Sequence, residues 1–239
     1  MKYYKLEHVG TNFKEVGSFP QLENKIKLGD YENVKLKAIR HPLNEDWTLP
    51  ELGFGNKAKP TTLLSSCISN VIFLIFKRYF IDFLNDFNVG HHQTWPMKVH
   101  HKKEVLDEYL LFHISYPLDD KIVSYGDSEF LVGKLGDWKD PSIRKPINIE
   151  NHKNYLSLIE VLKESSGNSQ IRCNKLVLDF KNIDADIFRL IDVPVGSGYY
   201  VSEKLRDAIL EKRFTGMDFL EIEEYEKRIE VKNTNHNRV

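Results

Sequence analysis

Between Tyr199 and Phe219 the sequence writes out one supersecondary unit, and this stretch limits the choice of fold more than any other. Tyr199-Tyr200-Val201 has the aromatic and β-branched composition of a strand. Ser202 suits a helix N-cap, and Glu203 adds negative charge to the first turn, where the helix dipole favours it. Leu205, Ile209 and Leu210 are expected to face inward, and Lys212 and Arg213 suit the helix's carboxyl end. Gly216 then ends the helical stretch, and Met217-Asp218-Phe219 resumes extended chain. A weaker echo lies upstream: laying Gly90 on Gly216 puts Leu84 on Leu210, Phe83 on Ile209 and Tyr79 on Leu205. A duplication would leave that trace, and so would two unrelated amphipathic helices that each end at glycine.

The remaining segments point to an α+β fold, mostly antiparallel sheet with a few packed amphipathic helices. Tyr3 to Val9 and Val34 to Ile39 alternate as strands do, with Gly17, Pro20, Gly29 and Asp30 marking turns between them. His41 to Pro60 carries three prolines and two glycines, which is loop chemistry. Asn70 to Ile75 reads as a strand, followed by a helix whose face is Phe76, Tyr79, Phe80, Phe83, Leu84 and Phe87 and which ends at Gly90. Trp95 to Val99 is extended. Tyr109 to Ser115 and Lys121 to Tyr125 are expected to pair through a turn at Pro117-Leu118-Asp119-Asp120. Ile143 to Ile149 is a further strand, after a loop punctuated by Gly133, Gly136 and Pro141. Asn151 caps a helix over His152 to Glu164, and strands follow at Lys175 to Phe180 and Ile187 to Ile191. The organisation expected is an α+β part over residues 1–104, readable as a diverged copy of the C-terminal unit, a second part over 105–226, and a frayed polar tail over 227–239.

Charge excludes some partners and is silent on others. Lys plus Arg number 34 against 35 Asp plus Glu, for a net charge of −1, so there is no basic excess of the kind nucleic-acid binders carry. Hydrophobic residues make up 41% of the 239, enough for a real core. Cys67 and Cys173 are far apart and lack metal-site spacing, so both are read as reduced, buried thiols. The N-terminal residues hold no signal-like apolar stretch. The longest apolar run, Val71 to Phe76, stops at Lys77-Arg78, well short of the roughly 20 residues a membrane span needs. A cytoplasmic protein with no membrane partner is the expectation.

The search for catalytic chemistry returns weak patterns. His91-His92 and His100-His101 supply four imidazoles, but adjacent strand residues point to opposite faces, so neither pair chelates easily. Asp179, Asp184 and Asp186 around Lys181 have the composition of a nuclease metal site without a telling spacing; turn-forming aspartates after a strand are commoner. Ser65, Ser66 and Ser69 near Cys67 sit in no nucleophile elbow. Val195-Gly196-Ser197-Gly198 leads into strand-like tyrosines and has no P-loop lysine, so it reads as a turn. The acidic run Glu221, Glu223, Glu224 and Glu226 reads as a solvated face. Trp47, Trp95 and Trp138 all lie near turn signals, either as hot spots or as anchors of their own loops.

Several stretches are similar to family eleven of the bacterial immunity proteins, formerly domain of unknown function 1629. They are Met1-Lys2-Tyr3-Tyr4-Lys5-Leu6, Ile122-Val123-Ser124-Tyr125 with Ser128-Glu129-Phe130, and Asp186-Ile187-Phe188-Arg189-Leu190. The fullest similarity is Val201 to Leu205 continuing to Thr215-Gly216-Met217-Asp218-Phe219, and the resemblance is best over residues 105–225. It implies a protein of polymorphic toxin systems, made beside a cognate toxin and binding it in the cytoplasm, without catalytic residues or cofactor. The resulting expectation is a non-enzymatic inhibitor that occludes a toxin's active site or substrate channel, with Trp47, Tyr116 and Trp138 as partner-binding residues. A metal-dependent, nuclease-like enzyme using Asp179, Asp184, Asp186 and Lys181, or a scaffold unrelated to toxins, are the alternatives.

Overall fold

The computed structural model describes residues 1–68, 71–134, 143–164 and 169–232. In chain order the first elements are β1 (Tyr3–His8), α1 (Phe13–Val16), β2 (Leu22–Lys27), α2 (Tyr31–Lys37), β3 (Glu51–Phe54) and β4 (Leu63–Leu64). Then come β5 (Leu74–Lys77), α3 (Arg78–Leu84), β6 (His92–His101), β7 (Glu104–Ile114), α4 (Asp119–Ile122), β8 (Glu129–Lys134) and β9 (Lys145–Ile147). The chain continues with α5 (His152–Glu164), β10 (Ser169–Leu178), β11 (Ile187–Leu190), β12 (Gly198–Ser202) and α6 (Glu203–Glu211). It finishes with β13 (Met217–Glu221), α7 (Ile222–Tyr225) and β14 (Ile229–Val231). These form an α+β fold of three sheets, ordered β11-β12-β1-β13, β14-β10-β8-β9 and β2-β3-β6-β7-β5-β4. Pairing is antiparallel except between β3 and β6 and between β10 and β14.

The first sheet is buried on both faces, and the pleat sorts its side chains. Tyr3, Phe188, Leu190 and Tyr200 enter one apolar cluster with Leu176, Leu178 and Phe130 of the second sheet. Tyr4, Leu6, Ile187, Tyr199 and Val201 enter another with Phe76, Phe112, Phe80 and Leu205. Alternate residues of one strand thus feed two different cores, as a two-residue period requires. α5 covers the second sheet through Tyr155, beside Phe130 and Tyr125.

The Tyr199–Phe219 unit is a split β-α-β motif. β12 and β13 both run antiparallel to β1, which lies between them, so α6 crosses over one strand. The upstream echo has the same topology: β5 and β6 both run antiparallel to β7, and α3 crosses it. The buried pair on α3 is Phe80 and Leu84, and on α6 it is Leu205 and Ile209, all four in one cluster. The equivalence therefore lays Phe80 on Leu205, one residue out of step with the register that superposes the glycines. Leu210, expected to face inward, is 56% exposed, because at about 100° per residue it lies off the face shared by Leu205 and Ile209. Ser202 caps α6 as expected, accepting from Leu205 N–H at 3.1 Å.

Three other expectations are corrected. Val34 to Ile39 is not a strand: α2 runs from Tyr31 to Lys37, and Tyr31, Val34 and Ala38 are buried at helical spacing. Lys121 to Tyr125 does not pair with β7; α4 and a 3₁₀ turn at Tyr125–Asp127 occupy that stretch, while β7 pairs with β5 and β6. The loop at His41 to Pro60 contains β3, which puts Leu52 and Phe54 in the core on either side of Gly53. α5 matches its expected span, and Asn151 Oδ1 accepts from Asn154 N–H at 3.0 Å. Residue 104 lies in the β6–β7 hairpin, and β1 is a central strand of a sheet otherwise drawn from residues 187–221. The stretch read as a frayed tail begins instead with β14, which pairs in parallel with β10 and buries Ile229, while residues 233–239, Trp138, Gly136, Pro141 and Ser69 lie outside the described residues.

Gly216 and Gly90 provide a stability test. Both have positive φ, +85° and +67°. A Cβ on Gly216 would run into the Leu63 carbonyl and come within 2.7 Å of Thr61 Oγ1, whereas a Cβ on Gly90 meets nothing within 4 Å. Gly90→Ala is expected to cost about 1–2 kcal/mol, the left-handed penalty alone. Gly216→Ala adds a backbone clash and should cost clearly more than that. Urea denaturation of both variants checks the order; equal costs would contradict it.

Candidate functional site

Where β6, β7 and β11 begin or end, the surface folds into a hollow of about 200 Å³. Its apolar wall includes Ile114, Leu118, Ile183, Ile187 and Phe188, and its rim carries Asn88, His91, Lys121, Asn182 and Asp184. Gly90, at φ +67°, turns the chain from the α3 loop into β6. Ser115 N–H then bonds to the His91 carbonyl at 3.0 Å, holding the end of β7 beside that turn. Tyr116, the next residue, is 50% exposed on the rim, with its ring edge-on to His91 at 5.4 Å. Asp184 and Lys121 are exposed, and their charged groups make no ion pair with the described residues. The floor is held from below by Tyr3, whose hydroxyl donates to the carbonyls of Ile183 and Ala185, both at 3.1 Å.

A second polar cluster lies deeper and cross-links distant parts of the chain. Arg40 holds Asp192 in a two-pronged contact, Nε to Oδ2 at 2.6 Å and Nη2 to Oδ1 at 2.5 Å. His152 bridges Tyr125, whose hydroxyl lies 2.6 Å from Nδ1, and Asp192, whose Oδ2 lies 3.8 Å from Nε2. Asp119 accepts from Ile191 N–H at 3.0 Å and Asp192 N–H at 2.8 Å. Burial, and then the Asp192 charge, push the Asp119 carboxyl up to about 7 against the pull of those N–H groups. Burial likewise lowers His152. An Asp-His-Tyr line has the composition of a proton relay, but here both ring nitrogens and both Asp192 oxygens are taken up by protein groups. The cluster works as a fastener between α2's loop, α4, α5 and the end of β11.

Two charged groups sit within the sheets themselves. Lys5 is 2% exposed; burial lowers its amine to about 8, and Nζ donates to the Ser197 carbonyl while lying 4.9 Å from the Tyr200 ring. Arg189 is fully buried; Nη2 donates to the Ala38 carbonyl at 3.0 Å and the Ile39 carbonyl at 2.6 Å, and burial lowers its pKa.

The residues singled out by sequence separate cleanly. Tyr116 lies on the hollow. Trp47 instead packs on Phe73 at 6.1 Å and Trp95 at 5.6 Å, anchoring its own loop to the core. The same loop is tied by Gln93, which exchanges two 2.8 Å hydrogen bonds with the Leu43 backbone. Asp179, Asp184 and Asp186 do not converge. Asp179 caps a turn by accepting from Lys181 N–H at 2.9 Å. Asp186 accepts from Ser202 Oγ at 2.7 Å, Asn88 N–H at 3.0 Å and Lys204 Nζ at 3.2 Å; burial would raise it, and these bonds hold it below the usual carboxylate value. Among the described residues, no group of three or more His, Cys, Asp or Glu side chains is arranged to hold a metal ion. The four histidines turn different ways: His91 to Tyr116, His92 to Phe112, His100 to Glu51 and His101 to Phe54. Ser65 Oγ accepts from Gln21 N–H at 2.9 Å, and Ser66 Oγ donates to the Ile68 carbonyl at 3.1 Å. No helix among the described residues is long and apolar enough to cross a membrane. The Arg40–Asp192 fastener left no local trace in the sequence, because its members lie 152 positions apart.

No protein-family model matches the chain, and no curated protein matches it either.

The raised Asp119 pKa carries a pH signature. The folded state keeps this proton from the ordinary carboxylate value near 4 up to about 7. The group's contribution to stability is therefore full below the unfolded pKa and is lost as pH rises through the folded one. A displacement of that size corresponds to a few kcal/mol at most, on the order of 4. Asp119→Asn removes the titration and keeps a carbonyl oxygen for the Ile191 and Asp192 N–H groups. From about pH 5 to about pH 8 the stability of the variant should rise relative to the parent by roughly 1 kcal/mol or more. Urea titrations at each pH measure it, and a difference flat with pH would contradict the assignment.

Proposed function

We propose that this chain is an immunity protein: a non-enzymatic, cytoplasmic inhibitor that binds a cognate bacterial toxin and occludes its active site or substrate channel. The observation that carries the reading is the Tyr116 hollow. An aromatic side chain, half exposed and steadied by an edge contact to His91, stands over an apolar wall inside a polar rim. Interfaces concentrate binding energy in that way, with buried aromatic or arginine anchors enclosed by groups that exclude water. The resemblance of Met1 to Leu6, Asp186 to Leu190, and Val201 to Leu205 continuing to Thr215–Phe219, to immunity family eleven supports the same reading, and the first two of these segments frame the hollow's floor.

The frame around the hollow suits an inhibitor that works by shape. Interface backbones of pre-organised inhibitors move little on binding. Here Ile114 ends β7, which β5 and β6 pair on both sides, and the buried Ile187 and Phe188 lie on the edge strand β11, held on one side by β12. Occlusion needs a contact of at least standard size, about 800 Å² on each partner, so the hollow is the centre of a larger footprint.

The test is co-expression with the protein encoded by the adjacent open reading frame. Growth should be rescued and a stable complex purified. Tyr116→Ala should weaken that complex about tenfold or more, as an interface anchor does. Trp47→Phe, a change at a loop anchor, should leave affinity within about twofold while lowering stability. A neighbour that is not toxic, or a toxic one that neither binds nor is neutralised by this chain, would sink the proposal.

A further inference from the structure

Resting on the immunity reading, we infer that the hollow is built to receive one arginine side chain of the partner. Its volume of about 200 Å³ is below the roughly 300–1,000 Å³ of cofactor and small-molecule sites, which favours side-chain atoms of a macromolecular partner over a free cofactor. Chemistry on the rim narrows the choice. Tyr116 presents an exposed ring, and Asp184 presents an exposed carboxylate that no described residue pairs. Arginine is the side chain that uses both at once, stacking its guanidinium on an aromatic face while donating to a carboxylate. Its aliphatic stem would lie along Ile114 and Leu118, as long cationic side chains do on apolar surface.

The other charged or titratable rim groups are Lys121 and His91. Lys121 opposes a cationic guest, and it is exposed and free of ion pairs with the described residues, so its ammonium can turn to water. His91 is engaged with the Tyr116 ring. This makes Lys121 a sign test: removing it strengthens a cationic guest and weakens an anionic one.

The experiment needs no toxin. The full chain is titrated, with NMR detection, with N-acetyl-arginine amide, its neutral isostere N-acetyl-citrulline amide, and N-acetyl-tyrosine amide. The arginine probe should bind on the order of millimolar, as expected of a small fragment, with saturable shifts at Tyr116, His91 and Asp184. Citrulline should bind about threefold to fivefold more weakly, the scale of one partly exposed charge pair. Asp184→Asn should remove that preference, and Lys121→Met should tighten the arginine probe by a similar factor. Equal or stronger binding of the citrulline or tyrosine probe would overturn the inference. So would weakening by Lys121→Met, shifts away from the hollow, or no saturable shift with any probe. Arginine selectivity without toxin rescue would retire the immunity reading alone, and rescue without arginine selectivity would retire only the arginine anchor.

Discussion

Everything in this molecule is arranged around the burial of β1 between β12 and β13. The first strand of the chain completes a sheet whose other members come from its last quarter. Because both faces of that sheet are covered, its residues must be apolar in both pleat directions. Tyr3 and Tyr200 serve one core, Tyr4 and Val201 the other. A buried charge on such a sheet needs polar company. Lys5 has the Ser197 carbonyl, the Tyr200 ring and the Glu7 carboxylate at 3.7 Å, and Arg189 reaches out of the sheet with Nη2 to the carbonyls of Ala38 and Ile39, while its Nε and Nη1 make no hydrogen bond with the described residues. The tyrosines bring a polar tip as well as bulk, and Tyr3 uses its own to pin the backbone beneath the hollow.

On that frame, polar chemistry falls into two classes with different consequences. Arg40, Asp192, His152, Tyr125 and Asp119 are consumed by one another and by backbone N–H groups, so they hold segments together. Tyr116, Asp184 and Lys121 stay exposed on the rim, and the two charged ones make no ion pair with the described residues. A surface that exposes an aromatic ring and a carboxylate where strands end is suited to recognising a partner by shape and charge. The proposed inhibitor function draws on that division of labour: fasteners tie the frame together, and the rim would meet the proposed partner.

Local physics explains which parts of this arrangement could be read from sequence. The α5 helix was legible because Asn151 and the spacing of Tyr155, Leu158, Ile159 and Leu162 act within a few residues of one another. The strand-helix-glycine-strand units were legible for the same reason, but their register was not. The glycines are turn devices, and the buried pairs Phe80/Leu84 and Leu205/Ile209 set the true equivalence. Val34 to Ile39 misled because its apolar residues satisfy a two-residue period while Tyr31, Val34 and Ala38 also satisfy a helical one. Lys121 to Tyr125 misled because what fixes it is remote: the Asp119 carboxylate serves Ile191 and Asp192 N–H, a constraint invisible along the chain. Loop context found Tyr116 on the surface but could not separate it from Trp47, whose ring turns inward onto Phe73.

The claim that matters most is that the Tyr116 hollow is the centre of the inhibitory contact. Hydrogen exchange of the chain, free and bound to the proposed toxin partner, measures that directly. Protection is expected to centre on residues 88–91, 114–121 and 182–188, with the exposed face of α5 unchanged. Protection that leaves those three segments untouched and gathers elsewhere would contradict it.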